Sequence, residues 1–373
     1  MLAWLLAIIV CAVLWLINAP EPIAKNSQSK TRLDQAPYSV GKTDLRIIDR
    51  NRATPALGGY EGDDKRTLKG SVWFPEGKST GHPLIIFSHG FGSHHQGCRH
   101  IAKYLASNGY VVAAVNFPLS NILSLAETPQ LVDVVNQPGD VSAVIDHMLA
   151  LNNDSNSVMH KRIDSNNIAA MGFSLGGLTT ALVSFHPDLK DERIKAAVMM
   201  APHLEEFNPT FYASNPELKS LVISGTLDRV VPELASADEV IPRHPNGWFI
   251  SLDKGTHLGF ANAGNPIRWM QNPDDIACVF MNLTLSKIDV FDSISEVLPN
   301  SENLVRDIVL AKGCPELSGQ AMNSLKQQWL TRIAIGSFFD THLRSGEVAR
   351  SANEFFTTVI SAENPEVRLT SPR

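Results

Sequence analysis

This sequence predicts an α/β fold, a mostly parallel central sheet flanked by helices, and two observations carry the prediction. From Leu45 onward, short apolar runs that end in turns alternate with longer stretches of helical period. One of those runs, Ile168 to Met171, passes through a glycine-flanked serine directly into the helical stretch Leu178 to Phe185. Composition agrees with a large globular domain. Of 373 residues, 44% are hydrophobic and 19% charged, enough apolar surface for a sizeable core. The 32 basic residues stand against 38 acidic ones, a net charge of −6, and no dense basic run occurs, which argues against nucleic-acid binding.

Residues 1–19 form an apolar leader. Met1 to Ile17 carries no charged side chain, and Pro20 follows the best small residue for cleavage, Ala19. The segment therefore reads as an uncleaved membrane anchor or an export signal, with a buried helix of a soluble domain as the alternative. Cys11 is a poor lipidation site, because the bulky Ile8-Ile9-Val10 precedes it. This leader makes the expected location membrane-anchored or exported rather than cytoplasmic. Residues 20–43 are polar and aperiodic and read as a tether. The domain is expected over 44–345, and 346–373 as a C-terminal tail.

Within the domain, Leu68 to Phe74 alternates like a half-exposed early strand. Leu84 to Phe87, Val111 to Val115, Ile168 to Met171, Ala196 to Met200, Leu221 to Ile223 and Trp248 to Ile250 are continuous apolar runs, as in strands covered on both faces. Helices are expected at about 97–108, 139–151, 176–186, 233–241 and 324–344, the last with Leu325, Trp329, Ile333 and Phe338 on roughly one face. The stretch 261–323 is an insertion holding more apolar residues than a plain loop needs. It reads equally as a lid and as a small helical subdomain packed on the core.

Gly172-Phe173-Ser174-Leu175-Gly176 has the G-x-S-x-G pattern between strand and helix, where a tight turn exposes a serine hydroxyl above the sheet at the positive end of the following helix. A serine needs a base, and the base needs an acid to orient it. Asp228 follows the run ending at Ile223, and His257 follows the run 248–252, so both belong to loops at strand carboxyl ends, the same rim as Ser174. Asp253 is the competing acid and His203 a competing histidine; their ordinary roles are a surface salt bridge and a hydrogen-bonded loop. A negative tetrahedral oxygen requires fixed donors. The backbone N–H groups of Leu175 and of Phe91, in Ser88-His89-Gly90-Phe91-Gly92, are the candidates. His89, His94, His95 and His100 crowd that loop without carboxylate or cysteine ligand spacing, so neither metal nor cofactor is expected.

These motifs resemble the α/β-hydrolase superfamily, and more narrowly bacterial proteins similar to dienelactone hydrolases and platelet-activating-factor acetylhydrolases. The points of resemblance are Arg66-Thr67-Leu68 to Pro75, Ser88-His89-Gly90, Asp140 to Asp146, the elbow, and the closing helix with Phe338-Phe339. Position 174 is serine where dienelactone hydrolases carry cysteine, and Met200-Ala201-Pro202 lacks the carboxylate that mammalian-type acetylhydrolases place there. The resemblance supports a serine hydrolase with Ser174, Asp228 and His257 as its triad and leaves the substrate open; a small-molecule or lipid ester is the expected partner. Thioester or peptide hydrolysis uses the same machinery, and a non-catalytic binding protein on this fold is the other class of function. Membrane association would run through residues 1–17. In an oxidising compartment Cys278 and Cys314, both after His257, are the expected bridge, with two buried free thiols as the alternative.

Overall fold

The computed structural model describes residues 13, 19–77, 80–123, 130–233, 244–285, 298–299, 313–316 and 319–372. Most of the apolar leader, the expected helix at 233–241 and much of the 261–323 insertion lie outside the described residues.

A nine-stranded sheet in the order β1-β2-β4-β3-β5-β6-β7-β8-β9 organises the chain. Its strands are β1 (Val40–Asp49), β2 (Arg66–Pro75), β3 (His82–Ser88), β4 (Val111–Asn116), β5 (Ile163–Phe173), β6 (Ile194–Met200), β7 (Lys219–Gly225), β8 (Gly247–Leu252) and β9 (Val367–Thr370). From β4 through β3 to β8 the pairing is parallel; β1, β2 and β9 join antiparallel. Helices cover both faces, which is why the central strands read as unbroken apolar runs. Successive residues point to opposite sides: Leu84 and Ile86 join the core under α3 (Gln137–Asn153) and α4 (Leu175–Phe185), while Ile85 and Phe87 join the core under α2 (Arg99–Ser107) and the long closing helix Ser324–Leu343.

Three expectations are corrected. The polar tether is in part structured: Gln28–Asp34 forms α1, capped by the Ser27 side chain, and Glu363 accepts from the N–H groups of Gln28 (2.9 Å) and Ser29 (2.8 Å). Polar composition hid a helix that meets the core with one apolar side chain, Leu33, and otherwise docks mainly through polar contacts. The tail 346–373 likewise continues the fold, with helix Gly346–Glu354 followed by β9 on the edge of β8. Leu68 to Phe74 is not half-exposed, because β1 and β4 flank β2 and both its faces are covered; Val72 and Trp73 are fully buried.

The start of β2 is fastened to the start of α3 by a buried ion cluster. The Arg66 guanidinium donates to Asp140 (2.6 and 2.8 Å) and Asp133 (3.1 and 2.8 Å), and Arg52 adds a second cation 2.9 Å from Asp140. Charges so deeply buried persist only when each is paired and hydrogen-bonded.

Candidate active site

At the end of β5 the chain turns sharply into α4. Ser174 sits in that turn at φ 56° and ψ −122°, a strained backbone for a residue with a side chain. The turn is enforced by backbone crowding. A Cβ on Gly172 would lie 1.8 Å from the Gly176 carbonyl oxygen, and one on Gly176 would lie 2.1 Å from that of Ser88. The Ser174 N–H donates to Met200 O (2.8 Å), and Gly177 N–H donates back to Ser174 O (2.7 Å). The serine is half-buried at the positive end of α4, where developing negative charge is favoured.

Asp228 and His257 leave the ends of β7 and β8, neighbours in the sheet. Their loops touch at two glycines: a Cβ on Gly225 would lie 2.4 Å from the Gly255 carbonyl carbon. Asp228 is buried. Its Oδ1 accepts from the N–H groups of Val230 (2.9 Å) and Val231 (2.8 Å), and its Oδ2 accepts from His257 Nδ1 at 2.8 Å. A carboxylate facing Nδ1 demands a proton there, so in the neutral imidazole Nε2 is left as an acceptor. Burial opposes charging this ring, but the charge and hydrogen bond of Asp228, with the charge of Asp274 nearby, lift the His257 pKa above the ordinary histidine value. The ring packs 4.7 Å, centroid to centroid, from Phe173, the residue before Ser174. The three residues singled out by the motifs therefore share one rim.

The loop after β3 lies against the elbow, with the Cβ direction of Gly90 3.2 Å from the Cβ of Ser174. Gly92 N–H donates to Ser120 O and Ser93 N–H to Gly90 O, which fixes the chain on the far side of Phe91. Buried His89 staples this loop to the end of β4: Nδ1–H donates to Gly90 O (2.8 Å), and Nε2 accepts from Phe117 N–H (3.0 Å). Burial lowers its pKa to about 4, so the ring is neutral and keeps both roles. Leu175 N–H is the first amide of α4, a position with no acceptor within its own helix.

The remaining candidates have other partners. Asp253 is half-exposed and 3.5 Å from Arg368. His203 donates to Glu206 (3.1 Å), with Glu205 3.6 Å from its other nitrogen. His95 is bonded to Asn116 and His100 to the Phe260 carbonyl. Among the described residues no group of three or more His, Cys, Asp or Glu is placed to hold a metal ion. Cys278 and Cys314 are bonded to each other, with Cα atoms 5.6 Å apart, and Cys98 is a buried free thiol.

One residue escaped the motif reading. Asp274 opens the helix Asp274–Leu285, is fully buried, and accepts from the N–H groups of His257 (2.8 Å), Leu258 (2.8 Å) and Arg229 (3.0 Å). Its only sequence signal is Asn272-Pro273-Asp274-Asp275 before an apolar run, which announces a helix start and not the direction of the carboxylate.

A mostly parallel sheet with a serine elbow at the centre, and an aspartate-paired histidine at the same strand ends, defines the α/β-hydrolase fold. The comparison with known proteins is more particular: residues 65–272, more than half of the chain, match the family described as PETase, PET hydrolase-like, and the chain belongs to it. Among curated relatives, Cutinase 2 of Thermobifida cellulosilytica is 27% identical over 194 residues, covering 51% of this chain and 65% of its own length. Cutinase cut1 of Thermobifida fusca is also 27% identical over 194 residues, here 53% of its length. The chain thus spans between about half and two thirds of the relatives it matches. A solved structure of a ferulic acid esterase from Streptomyces cinnamoneus superposes with a TM-score of 0.54 over 89% of this chain and 96% of that one, at 16% identity, a likeness of fold. Among the described residues no helix is long and apolar enough to cross a membrane.

Proposed function

We propose that this chain is a serine carboxylic ester hydrolase that works through an acyl-enzyme. The observation that carries the reading is Ser174, held on a strained turn at the head of α4, on the same rim as a histidine whose Nδ1 lies 2.8 Å from a buried aspartate. In this mechanism Ser174 Oγ attacks the ester carbonyl while His257 Nε2 takes its proton. Asp228 holds the ring and stabilises the imidazolium. The N–H groups of Phe91 and Leu175 receive the negative oxygen. His257 then protonates the departing alcohol, and water, activated by the same base, releases the acid and restores Ser174. No cofactor takes part in these steps.

Membership of the PET hydrolase-like family and the cutinase relatives support an ester as substrate, and we assign the chain a small-molecule or lipid ester. The Cys278–Cys314 bond supports a location outside the reducing cytoplasm, reached by means of the apolar residues 1–17, which would also provide any attachment to a membrane. The test is a series of p-nitrophenyl esters of increasing acyl length. Turnover that peaks within the series supports the reading and ranks the acyl group; no turnover with any member, alongside stoichiometric binding of an intact ester, would favour a non-catalytic pocket.

A further inference from the structure

Bonded to the His257 backbone N–H is a second buried carboxylate, Asp274, that the mechanism above does not use. Asp274 falls just beyond the family-matched stretch 65–272. Its two oxygens serve two loops at once. Oδ2 accepts from His257 N–H in the base loop and from Arg229 N–H in the acid loop, while Oδ1 accepts from Leu258 N–H. Asn272, two residues earlier, extends the strap by accepting from Asp274 N–H (2.9 Å) and donating to the Leu227 carbonyl (3.1 Å). An acid in the first turn of a helix ordinarily stays in water, where it favours the helix dipole at little cost. This one is fully buried and spends its oxygens on segments 16 to 45 residues away in sequence.

We propose that Asp274 is a positioning residue for the hydrolytic reaction: one carboxylate that holds the acid loop and the base loop in register and sets a second negative charge near the imidazole. The proposal rests on the ester hydrolase reading. The charged neighbours of Asp274 are Asp228, His257 and Arg229, whose guanidinium is turned away to Asp275 and the Pro315 carbonyl, and Asn272 is its neutral partner. If the role were only to tie chain to chain, a neutral acceptor would serve without the cost of burying a charge beside another carboxylate. That cost is visible, since burial and the charge of Asp228 push the Asp274 pKa up to about 6. Above that pH its charge favours the imidazolium that forms as Ser174 loses its proton.

The test uses the full chain carrying Asp274→Asn or Asp274→Glu, with active sites counted by a fluorophosphonate probe so that misfolded protein is not scored as slow protein. Per active site, Asp274→Asn should lower kcat by about 10- to 100-fold, the scale of a small misplacement of reacting groups, with KM changed less than about twofold. The rising limb of kcat/KM should move to lower pH, and Asp274→Glu, which keeps the charge, should bring the limb back toward the wild type. A per-site kcat and pH limb equal to wild type, with only the active fraction reduced, would overturn the proposal. Imidazole NMR of His257 follows the same shift without a substrate: its pKa falls in Asp274→Asn if the proposal holds and stays unchanged if it does not. Should Asp274→Asn fail to fold, the wild-type amides of Arg229, His257 and Leu258 decide, by titrating with one common midpoint or with separate ones. Wild type that hydrolyses no ester would instead count against the hydrolase reading, while the NMR titrations still judge this proposal.

Discussion

Around Ser174 the chain is positioned by backbone packed against backbone; around His257 it is positioned by side chains reaching in from distant segments. The elbow is set by residues 172–177 and by contacts of its glycines with Ser88 and Pro202, where a single methyl group would collide. The histidine loop is held by Asp228, Asp274 and Gln327, the last exchanging hydrogen bonds with both the N–H and the carbonyl of Thr256 (2.9 and 2.8 Å). The acid loop is tied in the same way. Arg229 bonds to Asp275 and to the Pro315 carbonyl, and its own carbonyl accepts from Cys314 N–H, beside the Cys278–Cys314 bridge. A serine turn is thus fixed by close backbone packing, whereas an aspartate and a histidine on separate loops are held by side chains from distant segments.

The comparison can be broken at several strengths. The largest effect is expected from Ser174→Ala, which should lower turnover by about 10⁶-fold per site with urea unfolding unchanged, because the proposed reaction loses its attacking oxygen. Undiminished ester turnover by this variant would place the chemistry elsewhere. Next, Asp228→Asn should cost about 10⁴-fold in kcat through loss of the ring's tautomer and charge partner, whereas Asp253→Asn, at the surface, should change kcat by less than about twofold. The reverse ranking in steady-state assays would reassign the acid.

How much of this was legible follows the same division. The central strands declared themselves because burial on both faces writes continuous apolar runs, and the elbow because its answer to those steric demands, glycines around one serine, is written within six residues. The edge strands did not. β1 alternates with a period of two but buries only Gly41, Leu45 and Ile47, and β9 has four residues of which Val367 alone is buried, so neither writes the continuous apolar run of a central strand. Helix α1 carries polar residues because it docks largely through Glu363 and Asn364, with Leu33 as its one apolar contact to the core. Asp274 reads as half of an exposed acidic pair, Asp274-Asp275, until the fold brings two loops onto it. Nothing local distinguishes a carboxylate that meets water from one that meets three amides.

A gentler probe sharpens the acid and base side. His257 must be neutral to accept the serine proton, and its neighbouring carboxylates raise its pKa, so kcat/KM should climb with pH through a midpoint above the ordinary value of about 6.5 and then level. A midpoint below that value in the pH profile would mean that the Asp228 and Asp274 charges do not act on the ring. Among changes to the buttresses, a modest effect on turnover is expected from reducing the Cys278–Cys314 bridge. With a sequence separation of 36 it should contribute ~3–4 kcal/mol to stability by chain entropy. Urea unfolding with and without reductant measures the loss, and kcat at a denaturant-free pH optimum should fall by less than about tenfold, because the Asp228–His257 pair and Asp274 are bonded without it.

The central claim, that Ser174 is the nucleophile served by His257, is tested most directly by labelling the intact chain with a fluorophosphonate and mapping the adduct by mass spectrometry across pH. One adduct per chain is expected, on Ser174, formed at a rate that rises with pH through the His257 midpoint and collapses in His257→Ala. Absence of an adduct, an adduct on another residue, or a rate on Ser174 indifferent to both pH and His257→Ala would contradict it.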